Sequence, residues 1–138
     1  MRDRLKPYGL LRRLENSCDL GTPDVLYTLK FERPARHDVR MFDVSTGLIE
    51  LKEDEWPVKP STPLLINSLT RDQVLWQMDW ERSGGKVATL AKIGQDYLWL
   101  RPEVLREVFR RALNKEQCKQ FVIGSGAFPT TAVLKRML

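Results

Sequence analysis

Leu10, Leu11, Leu14 and Cys18 recur at helical spacing, which predicts a helix over about Leu5–Cys18 with one buried stripe and Arg12, Arg13 and Glu15 on its other faces. Asp19-Leu20-Gly21-Thr22-Pro23 breaks it, since Gly permits left-handed backbone and Pro drives its predecessor towards extended conformations. Val25–Phe31 has the β-branched and aromatic content of a strand, and Glu32–Asp38, with Pro34, reads as its turn. Arg40–Val44 and Gly47–Lys52 read as two strands joined at Ser45-Thr46. The acidic stretch Glu53–Pro63, with Pro57, Pro60 and Pro63, cannot enter a sheet interior or a helix middle and is expected as a surface loop.

Thr70-Arg71-Asp72-Gln73 matches a capping box, with Val74, Leu75 and Met78 as the inward face of a second helix that ends at Gly84-Gly85. Lys86–Ile93 and Tyr97–Leu100 read as strands separated by Gln95-Asp96. Pro102 stands at a favoured first helical position, and Val104, Leu105, Val108 and Phe109 form the apolar face of a third helix running to about Leu113. Gly124-Ser125-Gly126 reads as a turn and Pro129–Leu138 as a short terminal helix. The expected architecture is α/β: a mixed central β-sheet flanked by helices, in the order α-β-β-β-α-β-β-α. One domain is expected over residues 1–138, with its core at about 5–113 and a C-terminal extension at 114–138.

The 138 residues and 42% hydrophobic content suit one soluble core. No apolar run approaches the roughly 20 residues of a membrane helix, and Met1–Lys6 is too polar for a secretory signal, so a cytoplasmic protein with no membrane partner is expected, in the host cytoplasm if it is viral. Cys18, Cys118 and the lone His37 offer neither zinc-ligand spacing nor a disulfide framework. A net charge of +5 is compatible with a polyanionic partner without establishing one.

The densest chemistry lies at Pro23-Asp24 and Glu50-Leu51-Lys52. Side chains alternate along a strand, so Glu50 and Lys52 project from one face, roughly 6–7 Å apart along the chain, while Ile49 and Leu51 face the other way. If Asp24 opens an adjacent strand, Asp24 and Glu50 can hold a hard divalent cation through oxygen, together with the backbone carbonyl of Leu51. Such a cation polarises a phosphodiester and lowers the pKa of its water, and Lys52 would stabilise developing negative charge or act as the base.

With these residues the chain resembles the PD-(D/E)xK nucleases, and among them the small stand-alone VRR-NUC nucleases of phages and some repair proteins. The resemblance spans roughly Arg12 to Leu100. It rests on Gly21-Thr22-Pro23-Asp24, Gly47-Leu48-Ile49-Glu50-Leu51-Lys52, Ser68–Gln73 with Trp76, and Gly84-Gly85, in that order. It implies a restriction-endonuclease-like core and a Mg²⁺- or Mn²⁺-dependent endonuclease that acts on branched or junction DNA, as Holliday-junction resolvases do in repair and recombination. Asp24 and Glu50 would be metal ligands and Lys52 the catalytic lysine. Glu15 matches the acidic residue many members place on the first helix, and Gln73 the glutamine that opens their second. Two-fold junctions favour two active sites and hence a homodimer.

Each residue also has a plainer reading. Asp24 could be a turn residue, Glu50 and Lys52 a solvated ion pair, and Glu15 a partner of Arg12 across one helical turn. The capping box explains Gln73 without a substrate. Trp76 and Trp80 read first as packing and second as a surface for unpaired bases. Arg12 and Arg13, with Arg2, Arg4 and Lys6, would neutralise phosphates beside the cleft, while Arg106, Arg110 and Arg111 are either phosphate ligands or a solvated helix face. The alternative function is a non-catalytic nucleic-acid-binding module or a nuclease inhibitor that retains the fold.

Overall fold

The alternation along Leu48–Lys52 belongs to the C-terminal half of a much longer strand. A computed structural model describes residues 10–13, 23, 25–33 and 41–137, and in it Met41–Asp54 forms one continuous strand, β3. Before it come β1 (Leu10–Arg13) and β2 (Val25–Arg33); after it come helix α1 (Arg71–Arg82), β4 (Val87–Ile93), β5 (Asp96–Leu100), α2 (Pro102–Phe109) and the short α3 (Lys115–Cys118). A 3₁₀ turn (Lys119–Phe121), β6 (Val122–Ser125) and α4 (Thr131–Met137) complete the described chain. The six strands form one mixed sheet in the order β1-β2-β3-β4-β5-β6. Only β3 and β4 pair in parallel, Leu48 opposite Val87 through Asp54 opposite Ile93; every other pairing is antiparallel. The loop and helix α1 supply the crossover that a parallel pair needs.

Both faces of the sheet are covered. On one, Ala91, Ile93, Leu98 and Leu100 pack with Val74 of α1, Leu105 and Val108 of α2, and Leu64 and Ile66 of the preceding loop. On the other, Tyr27, Ile49, Leu90 and Tyr97 gather around Leu134 of α4. Each fully buried Leu or Ile contributes roughly 1.5–3 kcal/mol relative to exposure. The segment after residue 114 is part of these layers, supplying Cys118 to the first cluster, Leu134 to the second and β6 to the sheet.

Several elements differ from the sequence expectation. Leu10–Arg13, expected inside a first helix, is a strand paired with β2, Leu10 opposite Thr28 and Arg13 opposite Val25. Leu-Leu-Arg-Arg suits either conformation, and backbone pairing along β2 overrides its weak helical preference. The described order therefore starts β-β-β-α-β-β-α, and the rest of the expected helix lies outside the described residues. Ser45-Thr46 does not interrupt β3: the Thr46 hydroxyl meets that of Thr28 at 2.8 Å, and Gly47 is accommodated because the Tyr27 ring lies over it. A Cβ on Gly47 would sit 2.6 Å from the Tyr27 hydroxyl oxygen. Glu53 and Asp54 belong to β3, so the proline-rich loop starts at Glu55. Helix α2 ends at Phe109, short of Leu113, and Gly124-Ser125 closes β6 instead of forming a turn.

Candidate functional site

Helix α1 begins where the sequence marks it. Thr70 accepts the Gln73 backbone N–H at 3.2 Å, and the Gln73 side-chain oxygen accepts the Thr70 N–H at 3.1 Å, closing the capping box. That leaves the other end of the Gln73 amide, its NH₂, to donate to Glu50 Oε1 at 3.3 Å. The cap and the contact with Glu50 are thus functions of one side chain. The cap also sets the amide's orientation, because its oxygen is already engaged.

Glu50 and Lys52 face the helices from the C-terminal part of β3, 2% and 7% exposed. The Lys52 ammonium lies 3.2 Å from Glu50 Oε1 and donates to the Ser68 carbonyl at 2.9 Å. This is not the solvated pair of the plainer reading. Water is largely excluded, so attraction is stronger than at a surface while each charge has lost hydration. Leu51 points the other way and packs against the Ile49–Tyr97 cluster; its backbone lies between the two charged residues.

Polar contacts continue in both directions. Beyond Lys52, Asp54 accepts the Asn67 backbone N–H at 2.8 Å and that of Glu55 at 2.9 Å, fastening the returning loop to the end of β3. On the other side, Thr89 stands opposite Glu50 in the parallel register, and its hydroxyl accepts from the Gln77 amide at 3.0 Å. Both Gln77 and Thr89 are fully buried. Gln73 and Gln77, one helical turn apart, form a polar stripe over Glu50 and Thr89 in an otherwise apolar interface. Sequence reasoning missed Gln77, Thr89 and the Ser68 carbonyl; the spacing of Gln77 four residues after Gln73 was the available signal.

Asp24 and Glu15 lie outside the described residues, as do His37, Arg2, Arg4 and Lys6. Arg12 and Arg13 are described only as backbone of β1. Val25, the neighbour of Asp24, stands opposite Ile49, the neighbour of Glu50, and Pro23 is buried. Among the described residues, no three His, Cys, Asp or Glu side chains converge on a possible cation position. Trp76 and Trp80 stack at 5.2 Å with a 16° interplanar angle, and the Trp80 indole N–H donates to the Lys86 carbonyl at 3.2 Å. The Trp80 ring also lies against Gly85, where a Cβ would collide with it, so packing occupies much of its surface. Arg106, on α2, lines a groove with Met78 of α1 and lies 3.8 Å from Glu107, whereas Arg110 and Arg111 are exposed at the end of α2. The Cys118 thiol is buried in the helix-side core, and desolvation pushes its pKa up to about 11, so it is no nucleophile at neutral pH.

None of the described helices is long and apolar enough to cross a membrane. No protein-family model matches the chain, and no curated protein matches it.

Proposed function

We propose that the chain is a metal-dependent endonuclease of the PD-(D/E)xK kind that hydrolyses phosphodiester bonds in branched or junction DNA. The observation that carries this reading is the Glu50–Lys52 pair, buried at mid-sheet beneath Gln73. Burying two ions costs several kcal/mol for each, whereas Ala91 stands opposite Lys52 on β4 and the same face one strand further, on β5, carries Leu98 and Leu100. A sheet that needed only cohesion would be better served by apolar side chains here as well. Charges held where they are expensive indicate a site.

On this reading the mixed sheet, with β4 parallel to β3 after a crossover helix, is a restriction-endonuclease-like core. Glu50 supplies the hard carboxylate oxygen that Mg²⁺ or Mn²⁺ prefers, so the donor chemistry fits. Asp24, Glu15 and the Leu51 backbone carbonyl would complete the ligand set, Asp24 by adjoining Val25, which stands opposite Ile49. The cation, when bound, supplies Lewis-acid polarisation of the phosphodiester. Lys52, held by Ser68 and Glu50, stabilises negative charge developing on the phosphoryl oxygens. Gln73 fixes the Glu50 carboxylate through a side chain that its own helix cap keeps from turning.

The test is incubation with Mg²⁺ or Mn²⁺ and linear, nicked, flap and four-way DNA. Branched substrates should be cut and chelator should stop the reaction. With all three variants verified as folded by circular dichroism, Asp24→Asn and Glu50→Gln should abolish cleavage and retain DNA binding, while Lys52→Ala should slow the chemical step and retain metal binding. Wild-type cleavage by folded Glu50→Gln protein at limiting metal would refute the assignment.

A further inference from the structure

Helix α2 ends in an arrangement that normally calls for glycine. The Ala112 N–H donates to the Glu107 carbonyl and the Arg111 N–H to the Val108 carbonyl, both at 3.0 Å, the paired hydrogen bonds of a Schellman motif. Its left-handed position is Arg111, at φ +56°, the only residue other than glycine with positive φ among the described residues. A Cβ is disfavoured there, and glycine would meet the same hydrogen bonds without strain. Backbone needs therefore do not account for arginine at this position.

Its surroundings offer an account. Arg111 lines a surface groove of about 360 Å³ with Phe109, Val108, Leu65, Ile66, Asn67 and Leu69. Phe109 and Leu65 are each 39% exposed, although both are large apolar side chains. Among the described residues no acidic side chain lines the groove, the Asp54 carboxylate behind Asn67 being engaged by that residue, and exposed Arg110 is next to Arg111 in sequence. The opposite wall is the loop whose Ser68 carbonyl holds Lys52 and whose Asn67 N–H is bound by Asp54. The groove therefore shares a wall with the Glu50–Lys52 site.

We propose that this groove is a subsite for one unpaired nucleotide of a DNA strand, with Arg111 on its phosphate and the exposed faces of Phe109 and Leu65 against its base. An aromatic side chain beside a guanidinium suits single-stranded nucleic acid, because every base has a face to stack and every nucleotide a phosphate to neutralise. A duplex presents phosphates but keeps its bases stacked inside, so it would leave the apolar wall bare. The subsite deepens the nuclease reading and rests on it for the identity of the strand.

The experiment measures binding of a labelled oligothymidylate and a blunt duplex of equal length by fluorescence anisotropy, in chelator, with the full chain. The wild-type protein should prefer the single strand. Arg111→Gly should weaken single-strand binding about tenfold and make its log–log salt slope shallower by about 0.7, the value of one lost phosphate contact. Its thermal midpoint should be equal or higher, which separates a lost contact from a damaged fold. Phe109→Leu, which keeps apolar bulk and loses the ring, should weaken binding about fivefold or more. Arg82→Ala, at an exposed arginine on α1 paired with Asp79, should bind as wild type. The proposal is overturned if wild type does not bind the oligothymidylate, if Arg111→Gly binds it as wild type does, or if Arg82→Ala loses as much. If this binding pattern holds and wild type cuts no DNA with Mg²⁺ or Mn²⁺, the subsite stands and the nuclease reading falls. Cleavage by wild type together with normal binding by Arg111→Gly overturns the subsite and leaves the nuclease reading in place.

Discussion

Replacing Lys52 with Met should destabilise the fold by about 3–5 kcal/mol, and adding Glu50→Leu should recover most of that loss. The magnitude follows from geometry. At 3.2 Å and an effective dielectric of about 20, the two charges attract by about 5 kcal/mol, comparable with the several kcal/mol of hydration that each ion loses on burial. Together the terms nearly cancel, so the pair contributes little net stability. Remove one partner and the other remains buried with its hydration lost and the opposite charge 3.2 Å away gone. Glu50 would keep the Gln73 contact, and Lys52 in the reciprocal Glu50→Leu variant would keep the Ser68 carbonyl, so neither single variant loses every contact. Urea unfolding, followed by tryptophan fluorescence in chelator, gives the free energies of both single variants and the double variant. The expected coupling is at least about 3 kcal/mol, at the upper end for interacting residues. Single variants that each cost less than about 1 kcal/mol and add in the double would show the pair behaving as a solvated one, and its burial would no longer point to a site. Glu50→Gln is milder than Glu50→Leu, since its carbonyl oxygen can still accept from Lys52 and Gln73, and so it suits the cleavage assay.

Two more predictions concern the same face of the sheet. Thr89→Val removes the acceptor of the Gln77 amide where neither side chain meets water, and should cost about 1–3 kcal/mol in the same unfolding assay; a loss below about 0.5 kcal/mol would show that the contact is not maintained. In a Cys18→Ser protein, Cys118 should react with a thiol reagent at neutral pH only after denaturation. Because burial raises that thiol from the usual 9.0 to about 11, its contribution to stability is complete below about pH 9 and is lost as pH rises towards 11, a decline that Cys118→Ala should lessen.

The parts of the molecule that local chemistry dictates were readable from the chain. Thr70 and Gln73 announced the start of α1, Pro102 announced α2, and simple alternation placed Glu50 and Lys52 on one face of a strand. What escaped depends on partners distant in sequence. Leu10–Arg13 becomes a strand because β2 offers it a free edge, a fact with no local trace. Ser45 and Thr46 look like a break until Leu29 and Thr28 are placed opposite them. Gln77 and Thr89 are individually unremarkable residue types, and their role appears only when β4 is set parallel to β3 with Thr89 beside Glu50. Arg111 has no local signal either, since its left-handed backbone is a property of the helix end it terminates.

The parallel seam between β3 and β4 also bears on the order of folding. Strands β2 and β3 can meet early, through a short excursion of chain, but Leu48 finds Val87 only after the whole intervening loop and α1 have been brought back. Contacts so far apart in sequence carry a larger closure entropy and tend to form late. Glu50 comes from one side of that seam, Thr89 from the other, and Gln73 from the helix that bridges them. A nascent chain released before β4 emerges holds Glu50 and Lys52 but has no opposing strand to enclose them. The charged pair is therefore assembled in its buried form only by the completed domain, and a truncated or half-folded product would not carry it.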